Sequence, residues 1–413
     1  MANKSVLISG IGVAGPTLAY WLGKSGFRPT LIEHAPQLRT GGYVIDFWGL
    51  GYDIAERMEL IEDINRIGYH ASEMRIVDDR GKRVTGFGTK VFRELTNGRF
   101  VTLGRSALSG LLFEKAKGST EVIFDDEIVG LQEQAGYVQV QFKHSGERQF
   151  DLVIGADGLH SGVRSLAFGP QDQFEKQLGY GVAAFEVHGY RPRDEDVYLM
   201  YGQPGRMVGR FTLHNNRTLF LFVFTADSNS LPTTLDLQKA TLRERYGDGE
   251  WECPRILDEL DRTPELYFDR VSLIKMQSWS RGRVALIGDA AFCVSLVAGQ
   301  GSALAMVSAY VLAGELAKTG GRHEEAFEKY ESLLRAYITT KQRGAERFAA
   351  VFAPRTQWGL WFRNQVIKTF AIPGLARLAL GSDIIDTLPL PDYHWRSLCE
   401  RPRAKKRKQL TES

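Results

Sequence analysis

Residues 5–34 read SVLISGIGVAGPTLAYWLGKSGFRPTLIEH, and the folding of this stretch decides the fold of the rest. The run SVLIS has strand character and stops at Gly10, which with Gly12 and Gly15 forms the pattern G-x-G-x-x-G. PTLAYWLGKSG then reads as a helix and RPTLIEH as a second strand. Pro16 falls in the first helical turn, where a missing N–H costs least, and Gly26 is placed to end the helix. Strand, tight turn, helix and strand make a βαβ unit. The glycines permit the turn and let backbone amides approach a pyrophosphate, whose charge sits at the helix N-terminus. Glu33, 18 positions beyond Gly15, ends the second strand, where a carboxylate accepts hydrogen bonds from an adenosine ribose. Six residues of glycine pattern are a weak signal alone. In this context they predict a dinucleotide site, against the competing reading of a tight turn with a surface glutamate. The fingerprint does not separate NAD from FAD.

Composition sets the bounds around that unit. A chain of 413 residues is long enough for two or three structural units. Its apolar fraction of 43% and charged fraction of 24% are those of an ordinary globular protein. The formal net charge is +3, and the tail from Arg401 carries six Lys/Arg against one Glu; removing that +5 leaves the remainder at −2. A nucleic-acid-binding surface on the fold is therefore not expected. Cys253, Cys293 and Cys399 are widely spaced and form no C-x-x-C, which argues against a disulfide framework, a zinc site and a dithiol centre. No metal site is expected. MANKSVLISG enters strand-like sequence at once, and no run reaches the roughly 18–20 apolar residues of a membrane span. The expected location is the cytoplasm.

Further along, residues 41–60 read as a glycine-rich loop and a helix, residues 70–100 as short strands and turns, and residues 103–118 as a helix. VIFDDEIVGLQEQAGYVQVQFKHSGERQFDLVIGADG reads as a meander ending in a buried strand. VYLMYGQPGRMVGRFTLHNNRTLFLFVFTA differs in character, with three β-rich runs separated by the turn signals GQPG and HNN. It reads as an antiparallel sheet inserted into an α/β body. The pattern GYGVAA at 179–184 mimics G-x-G-x-x-A, but the FEVHG that follows makes it strand. Residues 323–380 read as helical.

Two further motifs narrow the reading. DLVIGADGLHSGVR, residues 151–164, is a buried strand ending in Asp157-Gly158 with Ser161 and Arg164 behind it. GRVALIGDAAFCVSLVAGQG, residues 282–301, is another such strand, ending in Gly288-Asp289 and leading into a helix. G-x-G-x-x-G, then DG, then GD, in this order, resembles the single-component (class A) FAD-dependent aromatic hydroxylases, the family of p-hydroxybenzoate hydroxylase. The layout is most similar to the polyketide- and tetracycline-modifying branch, and the resemblance runs nearly the whole chain, out to LPLPDYHW. It implies an α/β fold: a Rossmann-like FAD-binding domain (1–75, 100–178 and 270–322), an inserted antiparallel β-sheet substrate domain (76–99 and 179–269), a C-terminal helical region (323–400) and a basic tail (401–413).

The resemblance also implies bound FAD, transient NADPH or NADH, and O₂, with a C4a-hydroperoxide delivering one oxygen atom to an electron-rich aromatic small molecule. Asp289 would accept hydrogen bonds from the ribityl chain, and the helix after Gly301 would point its N-terminus at the flavin pyrimidine edge, favouring the anionic reduced form. Asp157 would lie near the pyrophosphate. Arg105 matches an FAD-contacting arginine, Asp46 an acid beside the flavin, and Arg39 a mobile arginine near the isoalloxazine and nicotinamide. The competing readings are a solvated arginine, a cap for the following helix and a surface charge, respectively. The candidate cofactor set is Gly10, Gly12, Val13, Ala14, Gly15, Glu33, His34, Arg39, Asp46, Arg105, Asp157, Asp289, Gly299, Gln300, Gly301, Ser302 and Ala303.

Because the cofactor carries the difficult chemistry, no catalytic residue is assigned. Tyr201, Arg210, Phe211, Phe222 and Phe224 are candidates to line the substrate pocket, with Phe222 and Phe224 equally readable as core. Cys293 reads as a bystander thiol, and His160 and His188 as satisfied or surface histidines. The tail RPRAKKRK reads as solvated, with anionic-membrane contact, together with the preceding apolar helix, as the minor alternative. Within the enzymes the alternative is a non-oxygenating FAD oxidoreductase of the same fold; outside them it is a flavoprotein that sequesters a small molecule. A halogenase lacks support because W-x-W-x-I-P is absent, and a Baeyer–Villiger enzyme because no second Rossmann fingerprint is found. Two departures from the family stand out: Val294, Ser295 and Leu296 occupy a segment where relatives carry proline, and Ala303 stands where they often carry asparagine.

Overall fold

The opening βαβ unit forms as its sequence reads: β1 (Ser5–Ser9), α1 (Ala14–Lys24) and β2 (Arg28–Glu33), with the two strands parallel and Leu7 opposite Thr30. The structure, a computed structural model, describes residues 3–39, 41–190, 196–226, 231–295, 299–370, 386 and 388–395. The chain continues through β3 (Val44–Trp48), α2 (Leu50–Arg57), α3 (Ile61–Ile67), β4 (Glu73–Val77), β5 (Arg83–Gly88), α4 (Lys90–Leu95), β6 (Phe100–Gly104) and α5 (Arg105–Ala116). Next come β7 (Glu121–Phe124), the meander β8 (Ile128–Glu133), β9 (Val138–Phe142) and β10 (Glu147–Phe150), then β11 (Leu152–Gly155) and α6 (Gly162–Ala167). The inserted region supplies β12 (Glu175–His188), β13 (Val197–Gln203), β14 (Arg206–Leu213), β15 (Arg217–Thr225), α7 (Leu235–Tyr246), α8 (Cys253–Arg262) and β16 (Tyr267–Ile274). The chain then returns with β17 (Ser280–Arg281), β18 (Val284–Leu286), α9 (Asp289–Phe292), α10 (Gly301–Lys318), α11 (His323–Phe352) and α12 (Gln357–Thr369).

One sheet runs β17-β18-β11-β1-β2-β7, parallel except at β17. Its inner strands are apolar without alternation because both faces are covered, as parallel sheets require. All of β11 and β18 and the middle of β1 are buried. α1 packs on α5 and α10, and Val138, Val140 and Phe150 of the meander join the same core. β1, β11 and β18 therefore end side by side, which is how the three sequence motifs come to share one place.

The second sheet runs β16-β12-β15-β14-β13-β4-β5 and is antiparallel except where β13 meets β4. The turns fall at GQPG and HNN, and GYGVAA lies within β12, paired with β15 and β16. One face is sealed by α7 and α8: Leu242, Tyr246, Ile256, Leu257 and Leu260 pack on Phe185, Phe220, Phe222 and Phe224. On the other face Phe211, Leu213 and Leu219 pack with Tyr69 and approach Tyr43 and Val44 of the first unit.

Three details depart from the sequence reading. VIDFW, within a stretch read as loop, is strand β3, held by antiparallel pairing to β6. KVFREL, within a region read as strands and turns, is helix α4; the run is too short for a helical period to show. The helical region after 323 breaks near Pro354, within the short connection 353–356 between α11 and α12. Residues 388–395 return to the first unit, with the Trp395 ring stacked 4.5 Å from that of Trp21 and the Tyr393 hydroxyl donating to Glu315 at 2.9 Å. The basic tail 401–413, Leu296 and Cys399 lie outside the described residues.

Candidate active site

The turn between β1 and α1 is a cradle that side chains would fill. Gly10 has φ +102°, and a Cβ there would stand 2.6 Å from the Ala156 carbonyl oxygen, just before Asp157. A Cβ on Gly15 would stand 2.0 Å from the Gly10 carbonyl oxygen. Gly12 is open instead: its Cβ would meet only Nη2 of Arg105, at 4.0 Å. A guanidinium thus faces the gap at the N-terminus of α1, whose first amides have no intrahelical acceptors. Anionic pyrophosphate fits that combination. The Ser109 hydroxyl, one turn past Arg105, clamps the turn through the Ile11 and Gly12 carbonyls, both at 2.9 Å. The sequence reading missed Ser109; the signal was its place one helical turn beyond Arg105.

Glu33 closes the far end. It accepts from the Ile11 amide at 2.9 Å and the Ala35 amide at 3.2 Å, and lies 3.0 Å from His34 Nδ1. Arg39 is exposed and bonds His34 Nε2 at 2.5 Å. No contact joins Arg39 to Arg105 or Asp289 among the described residues.

The GD motif meets this cradle from the other side. Ala14 Cβ lies 3.3 Å from where a Cβ of Gly288 would stand, and Asp289 Oδ1 lies 3.8 Å from that position at Gly301. Burial raises the Asp289 pKa, and Arg105 opposes the rise. The amides of Gly301, Ser302 and Ala303 open α10 without intrahelical acceptors, since Leu304 is the first to bond back, to Gln300 at 3.0 Å. Gln300 is buried at the N-cap, and Gly299, with φ +66°, passes Trp48. Ala303 faces α2, where a Cβ on Gly51 would stand 2.7 Å from its own Cβ, so small residues let α2 and α10 approach. Val294 and Ser295 are buried, Ser295 with φ +73°. Cys293 is buried too; burial first, and then Asp289, holds its thiol well above the usual range.

The DG motif is tied up internally. Asp157 accepts from the Ser161 hydroxyl at 2.6 Å and the Val163 amide at 3.0 Å, and burial raises its pKa. Arg164, fully buried, donates to the Leu159 carbonyl at 2.6 Å, to Gln171 at 3.1 Å and to the Ala290 carbonyl at 2.9 Å. It fastens the DG segment to the GD segment, 126 residues away in sequence. His160 is 3.1 Å from Asp269 on β16, which raises its pKa and ties this motif to the second sheet. It is thus an exposed, hydrogen-bonded histidine, as the sequence reading expects.

Asp46 does not cap α2. That N-terminus is met by Asp386, which accepts from the Leu50 amide at 2.9 Å and pairs with Lys341 at 3.0 Å. Asp46 instead accepts from the Thr102 hydroxyl at 2.5 Å and the Tyr198 hydroxyl at 3.1 Å. Burial raises its pKa, and these bonds draw it back. Tyr43, beside Arg105, has its ring 5.2 Å from that of Tyr267 on β16.

The substrate candidates divide by sheet face. Tyr201, Arg210, Phe222 and Phe224 share a face by register and lie under α7 and α8, away from the cradle. The Tyr201 hydroxyl donates to Asp79 at 2.7 Å, and Arg210 pairs with Glu252 beneath Trp251. Only Phe211 of the five is on the opposite face, stacked 4.3 Å from Tyr198. That face continues through Met200, Gly209 and Leu221, all half-buried. These were missed because alternation separates two faces without saying which one helices will cover.

A family model described as "FAD binding domain" matches residues 3–341. A flavin-dependent monooxygenase of Legionella longbeachae serogroup 1 (strain NSW150) is 33% identical over 408 residues, covering 95% of this chain and 98% of the relative. An uncharacterized protein of Mycobacterium tuberculosis is 37% identical over 350 residues, covering 82% and 92%. The crystal structure of tetracycline destructase Tet(51) superposes with a TM-score of 0.80 at 29% identity, covering 94% of this chain and all of the other.

Proposed function

The chain belongs to the FAD binding domain family of flavin-dependent monooxygenases, and from that premise we propose that it uses NADPH or NADH and O₂ to hydroxylate a fused-ring aromatic or polyketide-like small molecule. The balance is one reduced nicotinamide, one proton and one O₂ consumed per C–H converted to C–OH, with water and oxidised nicotinamide released. The observation that carries this is convergence. Gly10 on Ala156, Gly12 facing Arg105, Ala14 on Gly288 and Asp289 at Gly301 are the contacts by which three distant motifs meet, and Tyr43 beside Arg105 touches Tyr267 of the second sheet.

When bound, FAD supplies the hydride acceptance and oxygen activation that side chains lack. The chain's own part is to hold and to exclude. In this reading Arg105 and the α1 amides carry the pyrophosphate, and Glu33 and His34 the adenosine end. Asp289 receives the ribityl hydroxyls, and Gly299–Ala303 set the positive end of α10 beside the pyrimidine edge. Asp157 supports the turn from behind, and Arg39 stands at the outer rim. Tyr198, Phe211, Met200 and Leu221 offer the ring-shaped, mostly apolar wall that an aromatic substrate requires. Tyr198 and Thr102 hold Asp46 at its edge. Likeness to a tetracycline destructase supports a multi-ring substrate.

The test is a screen of fused-ring phenols, tetracycline among them, for ligands that accelerate reduction of the bound FAD by NADPH or NADH. The proposal expects at least one such ligand, with NAD(P)H consumed in step with product. Ligands that bind tightly yet leave reduction unchanged would favour the sequestering alternative.

A further inference from the structure

We propose that the outward face of α12 seats the protein on an anionic phospholipid surface. α12 is buried on one side only: Leu360, Arg363 and Ile367 are covered, and Ile367 packs with Ile76 and Phe87 at the β4–β5 edge of the second sheet. Its opposite side carries Trp358, Trp361, Phe362 and Val366, exposed by 79%, 56%, 64% and 37%. Positions i, i+3, i+4 and i+8 lie along one strip of a helix. The other large exposed apolar side chains among the described residues, Val84, Val129, Leu166 and Leu237, are scattered singly, which is normal for a surface. Four on 9 consecutive residues is not. The two indoles meet edge to face at 6.0 Å, forming one aromatic ridge.

Three observations choose a lipid surface over a second copy or a protein partner. Tryptophan and phenylalanine above a helix that lies flat are the side chains of the membrane interface, where an amphipathic ring takes both the apolar and the wet side. Charge agrees: residues 347–382 hold five Lys/Arg, of which Arg363 is buried, and no Asp or Glu, in a chain where acids nearly equal bases. Lys368 and Arg355 are exposed beside the ridge. Such a flank attracts anionic headgroups. Size also agrees, since the four side chains offer about 500 Å², short of the roughly 800 Å² per partner of a stable protein interface. No helix among the described residues is long and apolar enough to cross a membrane, so contact is at the surface.

The test uses the full chain with FAD bound, in flotation with vesicles of phosphatidylcholine alone or with a third phosphatidylglycerol, at low and high salt. Wild type is expected to float with the anionic vesicles and to be released by salt. Trp358→Ser/Trp361→Ser/Phe362→Ser is expected to lower partitioning about tenfold or more, with flavin content and NAD(P)H oxidation unchanged. Trp358→Ser alone, at the most exposed position, gives a smaller loss and guards against a misfolded triple variant. The proposal is overturned if wild type floats with neither vesicle. It is equally overturned if the variants float like wild type, which would leave the work to the basic tail, or if the ridge instead holds together a dimer that the triple variant dissolves.

Discussion

Arg105 and Arg164 are both arginines near motifs, and they do different work. Arg105 faces the open side of Gly12 and the Asp289 carboxylate, whose pKa it draws down against burial. Arg105→Met should therefore weaken FAD binding about tenfold or more, the worth of a charge-assisted hydrogen bond, measured by fluorescence titration of the apoprotein. The Arg164 guanidinium donates to the Ala290 and Leu159 carbonyls and to Gln171. Arg164→Met leaves those acceptors buried without a donor and should cost about 2–4 kcal/mol of stability, read from denaturant midpoints. Gly10→Ala forces a Cβ onto the Ala156 carbonyl in a left-handed backbone, so flavin content should fall with stability. Gly10, Asp157 and Asp289 could be picked out in the sequence because their motifs are local. The bond from Arg164 to Ala290 could not, because only the parallel order β18-β11-β1 brings those segments together.

At the scale of elements, the proposed function makes the second sheet the wall that a substrate meets. The α7–α8 pair decides which face of β14 and β15 is core, and alternation along a strand carries no trace of that choice. Phe222→Ala should cost about 3–5 kcal/mol and leave the substrate KM unchanged, whereas Phe211→Ala should raise KM with a smaller loss of stability. Steady-state kinetics beside thermal melts separates the two. The His160–Asp269 contact joins the DG segment to β16 and makes the histidine more basic folded than unfolded. Its contribution is thus complete below the ordinary histidine value of about 6.5 and is lost as pH rises through the raised folded value. Thermal melts across that window should show wild type losing stability that His160→Gln never had. A spacing of 109 residues hides this pair from any reading of the chain.

At the scale of the whole molecule, a parallel sheet delivers three loops to one edge, and a mixed sheet approaches them with the face opposite α7 and α8. The βαβ opening and the apolar runs before DG and GD made the first sheet legible, because fully buried parallel strands have no other pattern. The β-rich runs and turn residues likewise marked the inserted sheet. The helical break near Pro354 left α12 as an element of its own, and its outward ridge appeared only with the packing that buries the other side. The meeting of the three motifs beside the second sheet carries the central claim, that this chain transfers an oxygen atom rather than merely holding flavin. The most direct measurement is turnover of the FAD-loaded protein with NADPH, ¹⁸O₂ and a ligand that accelerates flavin reduction, followed by mass spectrometry of the ligand. One labelled oxygen atom per product molecule is the predicted result. Consumption of NADPH with every labelled atom recovered in hydrogen peroxide or water, and none in any product, would contradict it.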